Sequence, residues 1–180
     1  MEADRVRYNA VAMGLHWIIA LLMIPMLFFG EELMEVEGGT GGTLLPTIHV
    51  SAGIAILVLT VLRLIWRVAN PPPPAPLTMA GWERTAAAAT HVLFYVLMIA
   101  LPLSGWLLVP DFLRDEPGMA GLSFFGVLPI PAGPDGGDAA EAVHEIGSKI
   151  GIALVILHVA AALKHPLINR DDVMRRMLPH

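Results

Sequence analysis

Four long apolar stretches divide the chain, and polar segments rich in glycine, proline and acidic residues separate them. The apolar stretches cover about 11–30, 46–66, 84–109 and 140–163. Each has roughly the 20 residues that an α-helix needs to cross a bilayer. A fifth apolar segment, 122–130, is too short to cross, so we expect it to lie at the membrane interface. The pattern predicts an all-α fold, a membrane-spanning four-helix bundle, with residues 1–180 forming one transmembrane domain.

The ends of the first two stretches carry further signals. Arg5 and Arg7 precede the first stretch, a basic start that a cleaved signal peptide would also have. The stretch is long enough to span, and no small-x-small cleavage site follows it, so we expect a retained first helix. Pro71 to Pro74 follow the second stretch and end its helix, because proline lacks the backbone N–H that a helix needs. We interpret this proline tract as a stiff connector within one domain.

The composition narrows the chemistry that the chain can perform. The 180 residues are 56% hydrophobic and 15% charged, which fits a lipid environment better than water. Cysteine is absent, which excludes disulfides, thiolate zinc sites, iron–sulfur clusters and thioether-linked haem. Tight metal chemistry would therefore depend on the seven histidines. The net charge of −5 argues against nucleic acid as a partner, since a basic face would be expected for it.

The basic residues predict the orientation of the four spans. If the spans alternate in direction, nine of the eleven Lys and Arg residues fall on one side, which the positive-inside rule assigns to the cytoplasm. These nine are Arg5, Arg7, Arg63, Arg67, Arg84, Lys164, Arg170, Arg175 and Arg176. Only Arg114 and Lys149 lie on the other side. Both termini are thus expected in the cytoplasm, and the two acidic loops, which carry Glu31, Glu32, Glu35, Glu37, Asp111, Asp115, Glu116, Asp135 and Asp138, are expected outside.

Two histidines bracket the fourth apolar stretch. His144 and His158 are 14 positions apart, so on a helix both side chains leave nearly the same face, separated by ~21 Å of rise. Histidine is costly in lipid and usually faces a bundle interior, so each of these two residues requires a partner there. One helix could therefore contribute to two sites, one near each membrane surface.

The depths of the other histidines supply those partners. His16 begins an outward-going span, so it lies at the level of His158, while His49 begins an inward-going span and lies at the level of His144. His91 is an additional histidine on the cytoplasmic side. Two facing imidazoles suit the axial positions of a haem iron, whereas a zinc ion would need four ligands. The alternative is that each histidine only packs or makes a hydrogen bond, and a haem-free transporter or scaffold would leave the matched depths unexplained.

Four glycines lie close to these histidines in the sequence or on the same helix face, namely Gly14, Gly53, Gly147 and Gly151. They could leave room for the flat faces of a porphyrin. Alternatively, they only allow neighbouring helices to approach closely, as small residues commonly do in membranes.

Several motifs in order along the chain carry a family resemblance. They read MGLHW in the first span, IHVSAGIAILVLTVLRLIWR in the second, ATHVLFYVLMIALPLSGW in the third, and HE, LHVAAALKH and DDVMRRMLP in the fourth and the tail. Together they resemble the bacterial cytochrome b561 family over nearly the whole chain.

The resemblance implies a multi-pass cytochrome of the bacterial inner membrane with two haem b groups. Its fourth helix would supply one axial ligand to each haem, which pairs His16 with His158 and His49 with His144. A characterised activity in this family is superoxide oxidation coupled to ubiquinone reduction, while other members are electron carriers. We therefore expect transmembrane electron transfer to the quinone pool, with superoxide:ubiquinone oxidoreductase as the implied activity. The alternative is a non-enzymatic relay or anchor subunit for a periplasmic redox protein.

The remaining candidates are four polar residues, each with a simpler interpretation. Arg63 and Arg67 could bind the propionates of the inner haem, or they only anchor the second span in the cytoplasm. His91 could bond a quinone carbonyl or a propionate, or it packs in the bundle. Lys149 could make a positive entrance for superoxide or pair with a propionate, or its ammonium reaches the interface.

Two features depart from the resemblance. Pro166 follows His165 where relatives often have a second histidine, which leaves the role of that pair open. The acidic outer loops would repel an anion such as superoxide, which makes the identity of the electron donor an open question.

Overall fold

A computed structural model describes residues 7–34, 44–76, 79–115 and 121–178. Within these ranges, four helices are long and apolar enough to cross a membrane, which confirms the predicted all-α four-helix fold. They are α1 (Ala10–Phe29), α2 (Leu44–Ala69), α3 (Gly81–Asp115) and α4 (Gly137–Lys164). Two short strands, β1 (Ser123–Phe124) and β2 (Leu128–Pro129), precede α4, and a π-helical turn (His165–Asn169) and a 3-10 turn (Met174–Met177) follow it. Arg5, Glu35, Glu37 and Glu116 of the predicted charge pattern lie outside the described residues.

The helices begin earlier than the apolar stretches, and the largest difference is at the end of α3. We predicted that the third span ends near Val109, but α3 continues to Asp115. Apolar residues mark the part of a helix that lies in lipid, and a helix can continue into water where polar residues support it. Here Arg114 donates to Asp111 one turn earlier, with an N–O distance of 2.5 Å. At 35 residues and ~1.5 Å per residue, α3 exceeds the thickness of the hydrocarbon core.

The bundle has a small buried core and an apolar exterior. Neighbouring contacts join α1 to α2, α2 to α3, α3 to α4, and α4 back to α1, so the helices form a closed ring. Ile19, Ile56 and Met98 are buried together at its centre. Many large apolar side chains instead face outward, such as Leu21 and Val68, which are 71% and 83% exposed. An exterior of this kind is what a bilayer would cover.

The four glycines singled out in the sequence divide into two groups. A methyl group at Gly147 would lie 2.9 Å from the Leu101 side chain, and one at Gly151 would lie 2.8 Å from Leu27. Gly147 and Gly151 therefore serve close packing of α4 against α3 and α1. In contrast, a methyl group at Gly14 would have no neighbouring atom within 4 Å among the described residues. A methyl group at Gly53 would contact only Cβ of Pro102, at 4.0 Å. The space beside these two glycines stays compatible with a flat ligand.

The predicted interfacial segment forms a hairpin that is attached to α2. Its strands are antiparallel, and its turn uses positive φ angles at Phe125 and Gly126 (47° and 75°). Ser51, which is fully buried, accepts a hydrogen bond from the Phe125 N–H (2.8 Å) and donates to the Ser123 carbonyl (3.3 Å). Val127 at the tip is 79% exposed. The hairpin thus presents an uncharged, apolar tip close to the level of His49, two residues before Ser51.

The C-terminal segment folds back onto the start of α1. The Arg7 guanidinium donates to the carbonyls of Arg175 (3.1 Å) and Leu178 (2.6 Å), and the Trp17 indole N–H donates to the Met177 carbonyl (2.8 Å). Because Trp17 is adjacent to His16, the segment covers the end of the bundle near that histidine. Both ends of the described chain therefore lie on the same side of the bundle.

Candidate functional site

Five histidines lie within the four helices, at two levels of the bundle. They are His16 on α1, His49 on α2, His91 on α3, and His144 and His158 on α4. All five are half-buried, which distinguishes them from the outward-facing apolar side chains around them. The two levels are occupied by different sets of these residues.

The first level, which we call the outer level, holds His49 and His144. Their ring centroids are 6.2 Å apart, and their planes are inclined by 48°. His49 lies in the second turn of α2 and His144 in the second turn of α4, so both belong to helix starts on the same side of the bundle. The sequence predicted that these two residues share one depth, and the structure brings their rings together.

The second level, which we call the inner level, holds three histidines. The centroids of His16 and His158 are 6.3 Å apart, with an interplanar angle of 61°. His91 is also next to His158, with ring centroids 5.9 Å apart, and Phe94 contacts the same ring edge-on at 5.5 Å. His158 therefore has two histidine neighbours at similar distances, and geometry alone does not select between them.

Glycines allow the outer imidazoles to approach the neighbouring helices. A methyl group at Gly105 of α3 would lie 3.0 Å from Cε1 of His144, and one at Gly30, just after α1, would lie 3.1 Å from Cε1 of His49. Neither glycine was predicted from the sequence to have a function. The sequence signal that could have identified them is their depth in the membrane. Gly105 is near the outer end of α3, and Gly30 follows α1 on the same side of the bundle.

The two outer imidazoles differ in their hydrogen bonds. Nδ1 of His144 lies 3.0 Å from the Leu101 carbonyl oxygen and 3.1 Å from the Ser104 hydroxyl oxygen. A carbonyl only accepts hydrogen bonds, so Nδ1 carries the proton and the Nε2 lone pair is free to bind a metal. Nδ1 of His49 is buried and has no hydrogen-bond partner among the described residues.

These distances can be compared with the requirements of a haem iron. With metal–imidazole bonds of about 2.0–2.1 Å and ring nitrogens about 1.1 Å from the ring centre, two imidazoles on opposite sides of one iron have centroids about 6.3 Å apart. The observed separations of 6.2 Å and 6.3 Å fit this arrangement. Within the described ranges, no group of three or more His, Asp or Glu residues could hold a metal ion by itself. The spacing of the two imidazole pairs therefore fits axial ligation of a haem iron.

The predicted arginines lie at the end of α2 that is nearest the inner level. The Arg63 guanidinium donates to the Ala12 carbonyl (3.0 Å) and to the Tyr95 hydroxyl (3.2 Å), so it connects α2 with α1 and α3. Since guanidinium has five N–H donors, these two bonds leave others for a further acceptor. Arg67 lies one turn later, in the last turn of α2.

The predicted lysine lies on the surface of α4. Nζ of Lys149 is 2.5 Å from a carboxylate oxygen of Glu145, and both side chains are mostly exposed, at 69% and 61%. The ion pair joins residues four apart on one helix, so its charge is largely neutralised locally. Lys149 is thus near the outer level in sequence but bonded to Glu145.

The outer end of the bundle also carries an acidic pocket of about 590 Å³. Its acidic lining comes from the end of α3, the residues just before α4 and the start of α4, and consists of Asp111, Asp115, Asp135, Asp138 and Glu141. Arg114 donates to Asp111 (2.5 Å) and to Asp135 (3.0 Å). The hydrogen bond from Arg114, followed by that from the Gly137 N–H, lowers the pKa of Asp135. Asp135 therefore stays ionised at neutral pH.

Comparison with known proteins identifies the family. Residues 7–180 match the family model described as prokaryotic cytochrome b561. The chain is 32% identical to "Cytochrome b561 homolog 2" of Escherichia coli, over 96% of this chain and 91% of that protein. It is 29% identical to "Probable superoxide oxidase CybB" of Yersinia pestis, over 96% of each chain, and 25% identical to "Cytochrome b562" of Cereibacter sphaeroides, over 95% and 94%. The chain therefore belongs to the prokaryotic cytochrome b561 family, and it is a bacterial membrane protein that transfers electrons across the membrane by b-type haem.

Proposed function

We propose that the chain holds two b-type haems, one between His49 and His144 and the other between His16 and His158. The observation that supports this most strongly is the similar spacing of the two pairs, 6.2 Å and 6.3 Å, at opposite ends of α4. When bound, bis-histidine haem supplies one-electron chemistry without an open position for oxygen. The 14 residues between the two α4 ligands correspond to ~21 Å, so the two sites together bridge most of the membrane.

The side chains around the ligands have supporting functions in this proposal. The Leu101 carbonyl accepts the Nδ1 proton of His144, which leaves Nε2 as the atom that would bind the haem iron. Arg63 has free donors near the inner level and could bind a propionate there, while Arg67 extends the basic end of α2. His91 lies beside His158 and could bond a propionate or a quinone carbonyl.

We propose that the inner level faces the cytoplasm and that its electrons pass to ubiquinone or another quinone. Both described ends of the chain lie at the same side of the bundle, together with Arg7, Arg175 and Arg176. An excess of basic residues favours the cytoplasmic side. The outer level, beside the hairpin and the acidic pocket, would then accept electrons in the periplasm.

Superoxide is the donor suggested by the printed name of the Yersinia pestis relative. In this case the chain would be a superoxide:quinone oxidoreductase. The test is quinone reduction by the purified protein while superoxide is generated, and a rate no higher than without the protein would reject this activity. A heat-treated sample without the low-spin haem spectrum serves as the control.

The second candidate function is a relay that receives electrons from a periplasmic redox protein. The acidic pocket favours it, because its carboxylates would attract a basic protein and repel the superoxide anion. In this case the chain would transfer electrons without converting a substrate on the outer side.

The ligand assignment is tested by single His→Ala substitutions at positions 16, 49, 144 and 158. Each variant is expected to retain about half of the wild-type haem, because one axial ligand is lost at one of the two sites. The measurement is haem content with absorption spectra of the purified variants. His91→Ala is the matched variant at the inner level, and it is expected to keep both low-spin haems. If His91→Ala loses the inner haem while His16→Ala keeps it, the proposed inner pair is wrong.

A further inference from the structure

We propose that Ser104 is a positioning residue that acts through His144 to lower the reduction potential of the outer haem. This inference rests on the proposed axial function of His144. It adds a determinant of redox potential to the outer site and concerns a residue that acts through its contact with His144.

Ser104 is buried, with 5% exposure, and lies where α3 contacts α4. Its Oγ is 3.0 Å from the Leu101 carbonyl oxygen and 3.1 Å from Nδ1 of His144. The hydroxyl proton is donated to the carbonyl, which can only accept. A lone pair of Oγ is therefore free to face the imidazole.

Nδ1 of His144 consequently has two acceptors within hydrogen-bond distance, the Leu101 carbonyl oxygen and the Ser104 hydroxyl oxygen. Gly105 completes this arrangement, because any side chain there would come within 3.0 Å of the imidazole Cε1. Three features within about one turn of α3 thus fix the position of the ring: the Leu101 carbonyl, the Ser104 hydroxyl and the absence of a side chain at Gly105.

The opposing imidazole at the outer level has no comparable pair of acceptors. Nδ1 of His49 is buried and makes no hydrogen bond of normal geometry among the described residues, although its ring lies close to the Gly30 backbone at the end of α1. The contribution from Ser104 and Leu101 therefore falls on one ligand of the pair. It can be changed without altering the other ligand.

A stronger hydrogen bond from Nδ1–H makes the imidazole a more basic and more electron-donating ligand. Such a ligand favours ferric over ferrous iron, which lowers the reduction potential. A lower potential at the outer site favours transfer of the electron onward to the inner site. Ser104 would thus support the direction of transfer that the charge distribution indicates.

The test is a redox titration of both haems, followed by absorbance, in the wild type, Ser104→Ala, Ser104→Cys and Ser148→Ala. The titration is repeated in a His16→Ala background, which keeps the outer haem, so that its midpoint can be assigned. In Ser104→Ala the outer midpoint is expected to rise and the inner midpoint to stay unchanged. Ser104→Cys, with a weaker donor and acceptor, is expected to fall between wild type and Ser104→Ala.

Ser148 is the matched control on α4, since its hydroxyl donates to the Glu145 carbonyl of its own helix (2.8 Å). Ser148→Ala is expected to shift neither midpoint. An unchanged or lowered outer midpoint in Ser104→Ala would overturn the inference, as would an equal shift of both midpoints. Failure of the proposed function would look different, because the wild type would then lack two low-spin haems or His144→Ala would retain both.

Discussion

At the scale of residues, the outer site depends on contacts between groups that have little chemistry of their own. The Leu101 carbonyl, the Ser104 hydroxyl and the bare Cα of Gly105 together fix the ring of His144. At the inner level, aromatic and imidazole rings surround His158 instead, with Phe94 edge-on at 5.5 Å. Polar contacts therefore hold His144 at the outer level, whereas packing against other rings holds His158 at the inner level.

Gly105→Ala is expected to remove the outer haem and keep the inner one. The added methyl group would lie 3.0 Å from Cε1 and 3.3 Å from Nδ1 of His144, so the ring would have to move. Haem content and the absorption spectrum provide the measurement. Gly81→Ala on the same helix is the control, because its methyl group would meet only Arg84 Nη2 at 3.9 Å and should leave both haems in place. Full haem content in Gly105→Ala would show that the close approach is unnecessary.

At the scale of elements, the segment after α4 is held by a buried histidine and an aspartate. His165 is 8% exposed, and its Nδ1 lies 2.8 Å from a carboxylate oxygen of Asp171. Burial raises the pKa of Asp171, but hydrogen bonds from His165 and the Val173 N–H outweigh this effect and lower the pKa overall. Lys164 also pairs with Glu83 of α3 at this end. The segment after α4 is thus stabilised by a contact within itself, between His165 and Asp171, and by an ion pair between the end of α4 and α3.

Asp171→Asn is expected to destabilise the protein by about 1–3 kcal/mol at pH 7, because charge-assisted hydrogen bonds to a partly buried carboxylate are lost. The lowered pKa of Asp171 gives the sign of the pH dependence. Its stabilisation is complete above the unfolded pKa of about 3.9 and is lost as the pH falls through the lower folded value. The difference in thermal midpoint between wild type and variant should therefore shrink at acidic pH.

Asp172→Asn is the control for this prediction. Asp172 pairs with Arg175 at 3.3 Å, but both side chains are largely exposed, at 73% and 82%. An exposed pair of this kind contributes only about 0–1 kcal/mol. A variant at Asp172 that is as unstable as Asp171→Asn would contradict the assignment of the stabilisation to the His165 contact.

The helices could largely be predicted from sequence, because the length of an apolar stretch reflects the thickness of the bilayer. The end of α3 from Pro110 to Asp115 was not predicted, because the length of an apolar stretch indicates only the part of a helix that lies in lipid. The depth assigned to each histidine from the sequence predicted that His49 lies near His144 and His16 near His158. In the structure the ring centroids of these pairs are 6.2 Å and 6.3 Å apart. The contact between His144 and the Leu101 carbonyl could not be predicted, because it joins residues 43 positions apart through a backbone atom.

At the scale of the whole molecule, charge is unevenly distributed between the two ends of the bundle. The chain carries a net charge of −5, and the acidic pocket is at the outer end, whereas Arg7, Arg175 and Arg176 are together at the inner end. Such a field favours cationic partners at the outer end of the bundle and slows the approach of anionic ones. It therefore distinguishes the two candidate donors by the effect of salt.

Reduction by a basic electron-donor protein is expected to slow as ionic strength rises, because salt screens its attraction to the acidic pocket. Reduction by a small anion such as dithionite should become faster, since the same screening weakens repulsion. Stopped-flow absorbance at several salt concentrations provides the measurement. Asp138→Asn with Glu141→Gln, two changes in the pocket lining, should reduce both salt effects. A rate that does not depend on salt for the basic donor would exclude docking at this pocket.

One helix carries a ligand for each proposed site, and this has a mechanical consequence. The separation of His144 and His158 is set by the covalent and hydrogen-bonded frame of α4, whereas His49 and His16 belong to two other helices, α2 and α1. Contacts of Gly147 with Leu101 and of Gly151 with Leu27 brace this part of α4 against sliding. Thermal motion of the bundle will therefore alter ligand orientation at each site more than the spacing between sites. Since that spacing governs electron tunnelling, the rate of electron transfer between the two proposed haems should tolerate variation in lipid thickness and detergent.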